Sequence, residues 1–191
     1  MRDGTDTRLR IERAALELFV EKGVAATTIR DIAQAAKVAE GALYRHYASK
    51  DELVWGLFST HYVALAATLD ALQRGAQGGK AKIAAMLEGC CRLFESDRTL
   101  FTFLLLVQHG QLGRLTPEMK TPVNLFRDVV AAAMQKGEIA AGDPELVTAM
   151  LLGLLLQSAT FIIYGRIRRP LDALAPGIVE AALAVLDAGR G

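Results

Sequence analysis

Glu40, Gly41, Ala42, Tyr44, Arg45 and His46 fall within one short stretch, EGALYRHY, whose residue types suit contact with the edge of a nucleic-acid duplex. Arg45 and His46 can reach phosphates or base acceptors, and Glu40 can accept from a cytosine amino group. Gly41 and Ala42 are small enough to let a backbone approach closely. Lys50 follows Ser49, which can cap the next helix, so a positive charge sits beside unpaired backbone N–H groups and together they suit a phosphate.

Two short helices must present these groups. Thr28 can cap the first, which carries Ile29, Ile32, Ala33 and Ala36 on one side and Asp31 in its opening turn, where negative charge suits the helix dipole. Lys37-Val38-Ala39 breaks it. A second helix from about Glu40 to Tyr47 turns Leu43 and Tyr47 inward at i, i+4 and leaves Glu40, Gly41, Ala42, Tyr44, Arg45 and His46 on the opposite face. Two helices joined by so tight a break read as a helix-turn-helix. An earlier helix with Ile11, Ala14, Ala15, Leu18 and Phe19 on one face stops at Gly23, a residue suited to the left-handed position past a helix end.

Arg10 to Phe58, about a quarter of the chain, resembles the N-terminal domain of the tetracycline-repressor (TetR) family of transcriptional regulators. The matching residues are Ala14-Ala15, Phe19, Gly23, Thr27-Thr28-Ile29-Arg30, Ile32-Ala33, Leu43-Tyr44 and Ser49-Lys50-Asp51-Glu52-Leu53. The resemblance implies that Thr28, Tyr44 and Lys50 hold phosphates, and that Arg30, Glu40, Ala42, Arg45 and His46 face the groove. This chain departs from the pattern at Lys37, where the family usually has Gly, and at Ala39, where it usually has a capping Ser or Thr. A left-handed Lys37 and an uncapped helix should each cost about 1 kcal/mol.

The rest of the chain is helical in pattern, with no alternating run bounded by turn residues, and predicts an all-α fold of about nine helices. The helix opened by Lys50 carries Leu53, Leu57, His61, Leu65, Leu69 and Leu72 and runs to about Arg74. Further helices are predicted at about 80–95, 99–112, 121–136, 143–165 and 176–188. The pattern predicts a helix-turn-helix domain over residues 1–52 and a second helical domain over 53–191, and the resemblance implies that the second domain binds a ligand and dimerises. Residues 1–50 hold nine Lys/Arg against seven Asp/Glu, while 51–191 hold thirteen against fourteen. That mild bias excludes a general polyanion binder and leaves affinity to a few placed contacts doubled by a dimer.

Met1 to Arg10 is polar and lacks a secretion signal, so a cytoplasmic location is expected. Cys90 and Cys91 are adjacent, point about 100° apart on a helix, and read as small buried hydrophobes; a thiol sensor would need a depressed thiol pKa. The twenty uncharged residues from Leu146 to Gly165 are long enough to span a bilayer, which makes a membrane-associated helical protein one alternative. Thr148, Gln157, Ser158 and Thr160 interrupt the run. The other reading is a helix buried against its own core and a partner chain, which agrees with the pairing of the last two helices into a four-helix bundle that the resemblance implies. An all-α enzyme is the third class. His46, His61 and His109 lack acidic or cysteine partners at ligand spacing, and no nucleophile motif or phosphate loop is present, so no catalytic residue, metal or cofactor is expected.

The function expected is that of a homodimeric, sequence-specific repressor that places two recognition helices in successive major grooves about 34–36 Å apart and leaves its DNA operator when a small ligand binds. Candidate lining residues are Trp55, Phe58, His61, Phe101, Phe103, His109, Met119, Phe126, Met150, Gln157, Phe161 and Tyr164. They offer aromatic and aliphatic surface with a few neutral polar groups, so the expected effector is largely apolar.

Overall fold

Apolar residues at helical spacing become nine α-helices in the computed structural model, which describes residues 2–188. These are α1 (Arg2–Lys22), α2 (Ile29–Ala35), α3 (Glu40–Tyr44), α4 (Lys50–Arg74), α5 (Gly79–Ser96), α6 (Arg98–Gln111), α7 (Pro122–Gln135), α8 (Pro144–Ile163) and α9 (Ala175–Asp187). Short 3-10 turns at Leu112–Arg114 and Asp172–Leu174 complete the set, and no strand forms among the described residues. The all-α reading therefore holds. The helix opened by Lys50 has its expected bounds. The recognition helix is shorter than expected, ending at Tyr44, with Tyr47 reached by a final turn in which its N–H donates to Leu43 O at 3.0 Å. Helix α8 stops two residues early because Gly165 takes a left-handed φ of 69°.

Two compact units form. The first combines residues 1–61 with 99–115, and the second combines 62–98 with 116–191. In the first, α1 packs on α2 and α2 on α3 around Ile11, Ala15, Phe19, Ile32, Leu43 and Leu53, all buried. Helix α6 belongs to this unit although it is remote in sequence: Phe103 stacks on Phe19 with ring centroids 5.8 Å apart. Each of these fully buried rings stabilises the unit by about 1.5–3 kcal/mol.

The second unit is built on the pairs α5–α9, α7–α8, α8–α9 and α5–α7. Two glycines of α5 set its close approaches. A Cβ at Gly79 would overlap Ala133 Cβ on α7, and one at Gly89 would overlap Leu72 of α4. Glu138 accepts from the Gly79 N–H and so caps α5, and Lys80 pairs with Asp187 at 2.6 Å across α5 and α9. Helix α8 turns Thr148, Leu151, Leu155, Ala159 and Ile162 inward, while Leu146, Met150 and Phe161 stay exposed.

Candidate nucleic-acid interface

Thr28 opens α2 as its cap: its hydroxyl accepts from Asp31 N–H at 3.1 Å, and the Asp31 carboxylate accepts from Thr28 N–H at 2.9 Å. Those reciprocal bonds, the backbone one first, hold the Asp31 carboxyl below its ordinary range. Thr27, to which spacing assigns no role, is fully buried and donates to Gly23 O at 2.8 Å, tying the end of α1 to the start of α2. Lys37 is the one non-glycine residue with positive φ, at 56°, among those described. Its turn is closed by Val38 N–H donating to Ala33 O at 3.0 Å. Ala39 gives α3 no side-chain cap. Both departures from the motif are thus real features of the backbone.

Helix α3 is held from beneath and open above. Leu43 is fully buried, and Tyr47 is buried with its hydroxyl donating to the Glu12 carboxylate of α1 while Arg8 lies 5.7 Å from its ring centroid. Burial first, and then the Glu12 contact, pushes the Tyr47 phenol up to about 12. Gly56 on α4 leaves room for that ring, since a Cβ there would lie 3.2 Å from Tyr47 Cε1. On the other side Glu40, Gly41, Tyr44, Arg45 and His46 are exposed, as are Thr28 and Arg30 on α2, and Ala42 is half-buried. The result is one polar face on a rigid base.

Lys50 has an internal task that spacing does not reveal. Its ammonium donates to the carbonyls of Val24 at 2.7 Å, Thr27 at 2.8 Å and Ala25 at 3.4 Å, and so closes the α1–α2 connection. Ser49 accepts from Glu52 N–H at 3.1 Å and caps α4.

The candidate lining residues lie in several places. In the first unit Phe58 and Phe103 are core, Trp55 lies under the Arg114 guanidinium at 4.5 Å, His61 and Phe101 are half-buried, and His109 is exposed. In the second unit Phe126 is core. Met119 lines a groove of about 660 Å³ with Val63, Ala66, Ala67 and Leu125, rimmed by Asp70, Arg74, Lys120 and Arg127. Met150, Gln157 and Phe161 share the open face of α8 with Gly153 and Leu154, and Tyr164 is exposed beyond its end. Cys90 and Cys91 are buried free thiols pushed up to about 12 and about 11, chiefly by burial, which is the reverse of what a reactive thiol needs.

Residues 11–55 match the pattern of bacterial regulatory proteins of the tetR family. Over 158 residues the chain is 32% identical to a Mycobacterium tuberculosis protein named as a candidate mycofactocin biosynthesis transcriptional regulator, MftR, spanning 78% of this chain and 75% of the relative. The chain belongs to the TetR family of transcriptional regulators. A transcriptional repressor of M. tuberculosis is 54% identical over 44 residues, 23% of each chain. The same fold recurs in a tetR-family regulator from Rhodococcus RHA1, with a TM-score of 0.79 at 22% identity over 95% of this chain and 97% of that one. It recurs also in the regulator FadR from Bacillus subtilis, solved in complex with stearoyl-CoA, with a TM-score of 0.77 at 22% identity over 93% and 98%. Membership of this family gives no support to the membrane alternative. Although α8 is long and apolar enough to cross a bilayer, its inner face packs on α7 and α9.

Proposed function

We propose that this TetR-family regulator is a cytoplasmic, homodimeric repressor that binds a two-half-site operator and is released by a small effector, with no enzymatic activity. The observation that carries the reading is the exposed polar face of α3 above the buried Leu43 and Tyr47. In this reading residues 1–52 grip DNA. Arg30, Glu40, Gly41, Ala42, Arg45 and His46 lie along the groove, and Thr28 and Tyr44 hold phosphates. Lys50 adds its charge beside the N-terminus of α4 while closing the α1–α2 connection.

Residues 53–191 bind the effector and dimerise, α8 and α9 pairing with those of a second copy. The exposed Leu146, Met150 and Phe161 support this, because an apolar face of that kind is stabilised by a partner. An effector that prefers the spacing unable to reach both grooves shifts the population, and a coupling of about 1–3 kcal/mol gives roughly 5–150-fold relief.

The effector is read as largely apolar, anchored by one or two neutral groups among the candidate residues named above. The groove beside Met119 favours a second reading through Lys120 alone: of its three cations Arg74 pairs with Asp70 and Arg127 with Asp128, which leaves the Lys120 ammonium to meet an anionic head on an apolar tail. The stearoyl-CoA bound by B. subtilis FadR is a ligand of that kind.

Footprinting on the DNA upstream of its own and neighbouring genes tests the reading. Two protected half-sites one helical turn apart are expected, and protection of a single site or of none overturns it. Release of that DNA by a neutral long-chain ester, by its free acid or by its coenzyme A thioester separates the two effector readings.

A further inference from the structure

Between α8 and α9 the segment Gly165-Arg166-Ile167-Arg168-Arg169-Pro170-Leu171 puts three guanidinium groups into four residues, and all three arginines are exposed. The turn that carries them is rigidly built. Gly165 takes φ 69° and donates to Ile162 O at 2.9 Å, and the N–H groups of Arg166 and Ile167 both donate to Phe161 O, at 2.9 and 3.1 Å. At its other end Leu171 is buried and donates to the Glu95 carboxylate at 2.7 Å, and Arg169 donates to Ala173 O at 3.2 Å.

Of the acids nearby, Glu95 holds both Leu171 N–H and Arg98, and Asp172, exposed at the start of the 3-10 turn, forms no ion pair with the three arginines. No side-chain hydrogen bond or ion pair holds Arg166 or Arg168 among the described residues. One cation near a helix C-terminus is enough to answer its dipole, whereas three on a fixed turn repel one another unless an anion lies against them. The bond to Glu95 also ties the turn to the C-terminal end of α5.

Resting on the assignment of this chain as a DNA-binding regulator, we propose that the arginine turn is a second DNA contact, outside the helix-turn-helix, that grips phosphates without reading bases. Guanidinium forks suit phosphate oxygens, and a contact of this kind strengthens binding to every sequence alike.

The test uses the full chain and its Arg166→Gln/Arg168→Gln variant, with anisotropy titrations over a range of salt on two duplexes. One duplex carries the site footprinted upstream of the gene, and the other is its scrambled version. When each subunit of a dimer releases one phosphate, the slope of log K against log salt should shrink by about 2. Affinity should fall by the same factor, about tenfold at low salt, on both duplexes. Arg166→Lys/Arg168→Lys should keep most of the slope, and thermal melting of both variants should match wild type because neither side chain holds an internal contact.

A wild-type slope in the glutamine variant overturns the proposal, as does a loss confined to one duplex. Unchanged DNA binding with weakened affinity for phosphatidylglycerol vesicles also overturns it and assigns the turn to a lipid surface. Wild-type protein that binds neither duplex would instead overturn the regulator reading on which the proposal rests.

Discussion

The Arg114 guanidinium lies 4.5 Å from the centroid of the Trp55 ring while its two terminal nitrogens meet Asp51 at 2.9 Å and Glu52 at 3.1 Å. One side chain thereby joins the turn after α6 to the first turns of α4, the helix that follows α3. Trp55 is the chain's only tryptophan, so its emission reports on this contact. Arg114→Met should shift the emission and cost about 1 kcal/mol in urea unfolding, mostly from the missing cation–ring stacking, because the ion pairs with exposed carboxylates add little. Arg114→Lys should recover only part. An unaltered spectrum and midpoint in the methionine variant would count against the contact.

Relief of the two backbone defects in the helix-turn-helix should stabilise it. Lys37→Gly removes the left-handed strain at φ 56° and should add about 1 kcal/mol. Ala39→Ser gives α3 the cap it lacks and should add about 0.5–1 kcal/mol. Thermal melts of the single and double variants measure both, and a destabilised Lys37→Gly would refute the strain.

Lys50→Met should do two things at once. It leaves the carbonyls of Val24 and Thr27 without their donor, costing about 1–2 kcal/mol, and it removes a charge beside the N-terminus of α4. DNA affinity should fall on all sequences, with a salt slope reduced by about 1 for each phosphate no longer neutralised. A fall in stability with an unchanged slope would confine Lys50 to its structural task.

Gly153→Arg separates dimerisation from folding, because nothing lies within 4 Å of where its Cβ would be. The isolated chain has room for the side chain, so sedimentation should show a folded monomer in place of the wild-type dimer. A dimeric variant, or a wild type that is monomeric at micromolar concentration, would remove α8 from the interface.

Stability should also fall in alkaline solution. Burial raises the Cys90 and Cys91 thiols to about 12 and about 11, from an ordinary value near 9. Their contribution is complete below pH 9 and is lost as pH climbs toward those folded values. Melting temperature should therefore decline above pH 9, and Cys90→Ala/Cys91→Ala should flatten the start of that decline. Equal slopes in both proteins would show that the thiols are not its source.

Periodicity and capping residues make the helices readable in advance. Thr28, Gly23 and the inward Leu43 and Tyr47 are local signals, and the structure gives each the expected position. Contacts between remote residues are not readable in this way. Lys50 sits beside α4's exposed start in sequence, yet its ammonium is held by carbonyls 23–26 residues earlier. Trp55 and Phe126 illustrate the same limit, since an aromatic residue on a helix face has one pattern whether it meets a ligand, a guanidinium or the core. Only the structure distinguishes an Arg114 partner from a core ring.

The stacking of Phe19 on Phe103 bears on how such regulators can be recombined. A chimera that joins residues 1–52 of this chain to a foreign sensor would transplant Phe19 without the ring that covers it, exposing an aromatic surface at the new seam. A graft that also carries residues 99–115 keeps the pair intact. The transplantable piece is therefore discontinuous in sequence, and donor and recipient must agree at α6 as well as at the junction in α4.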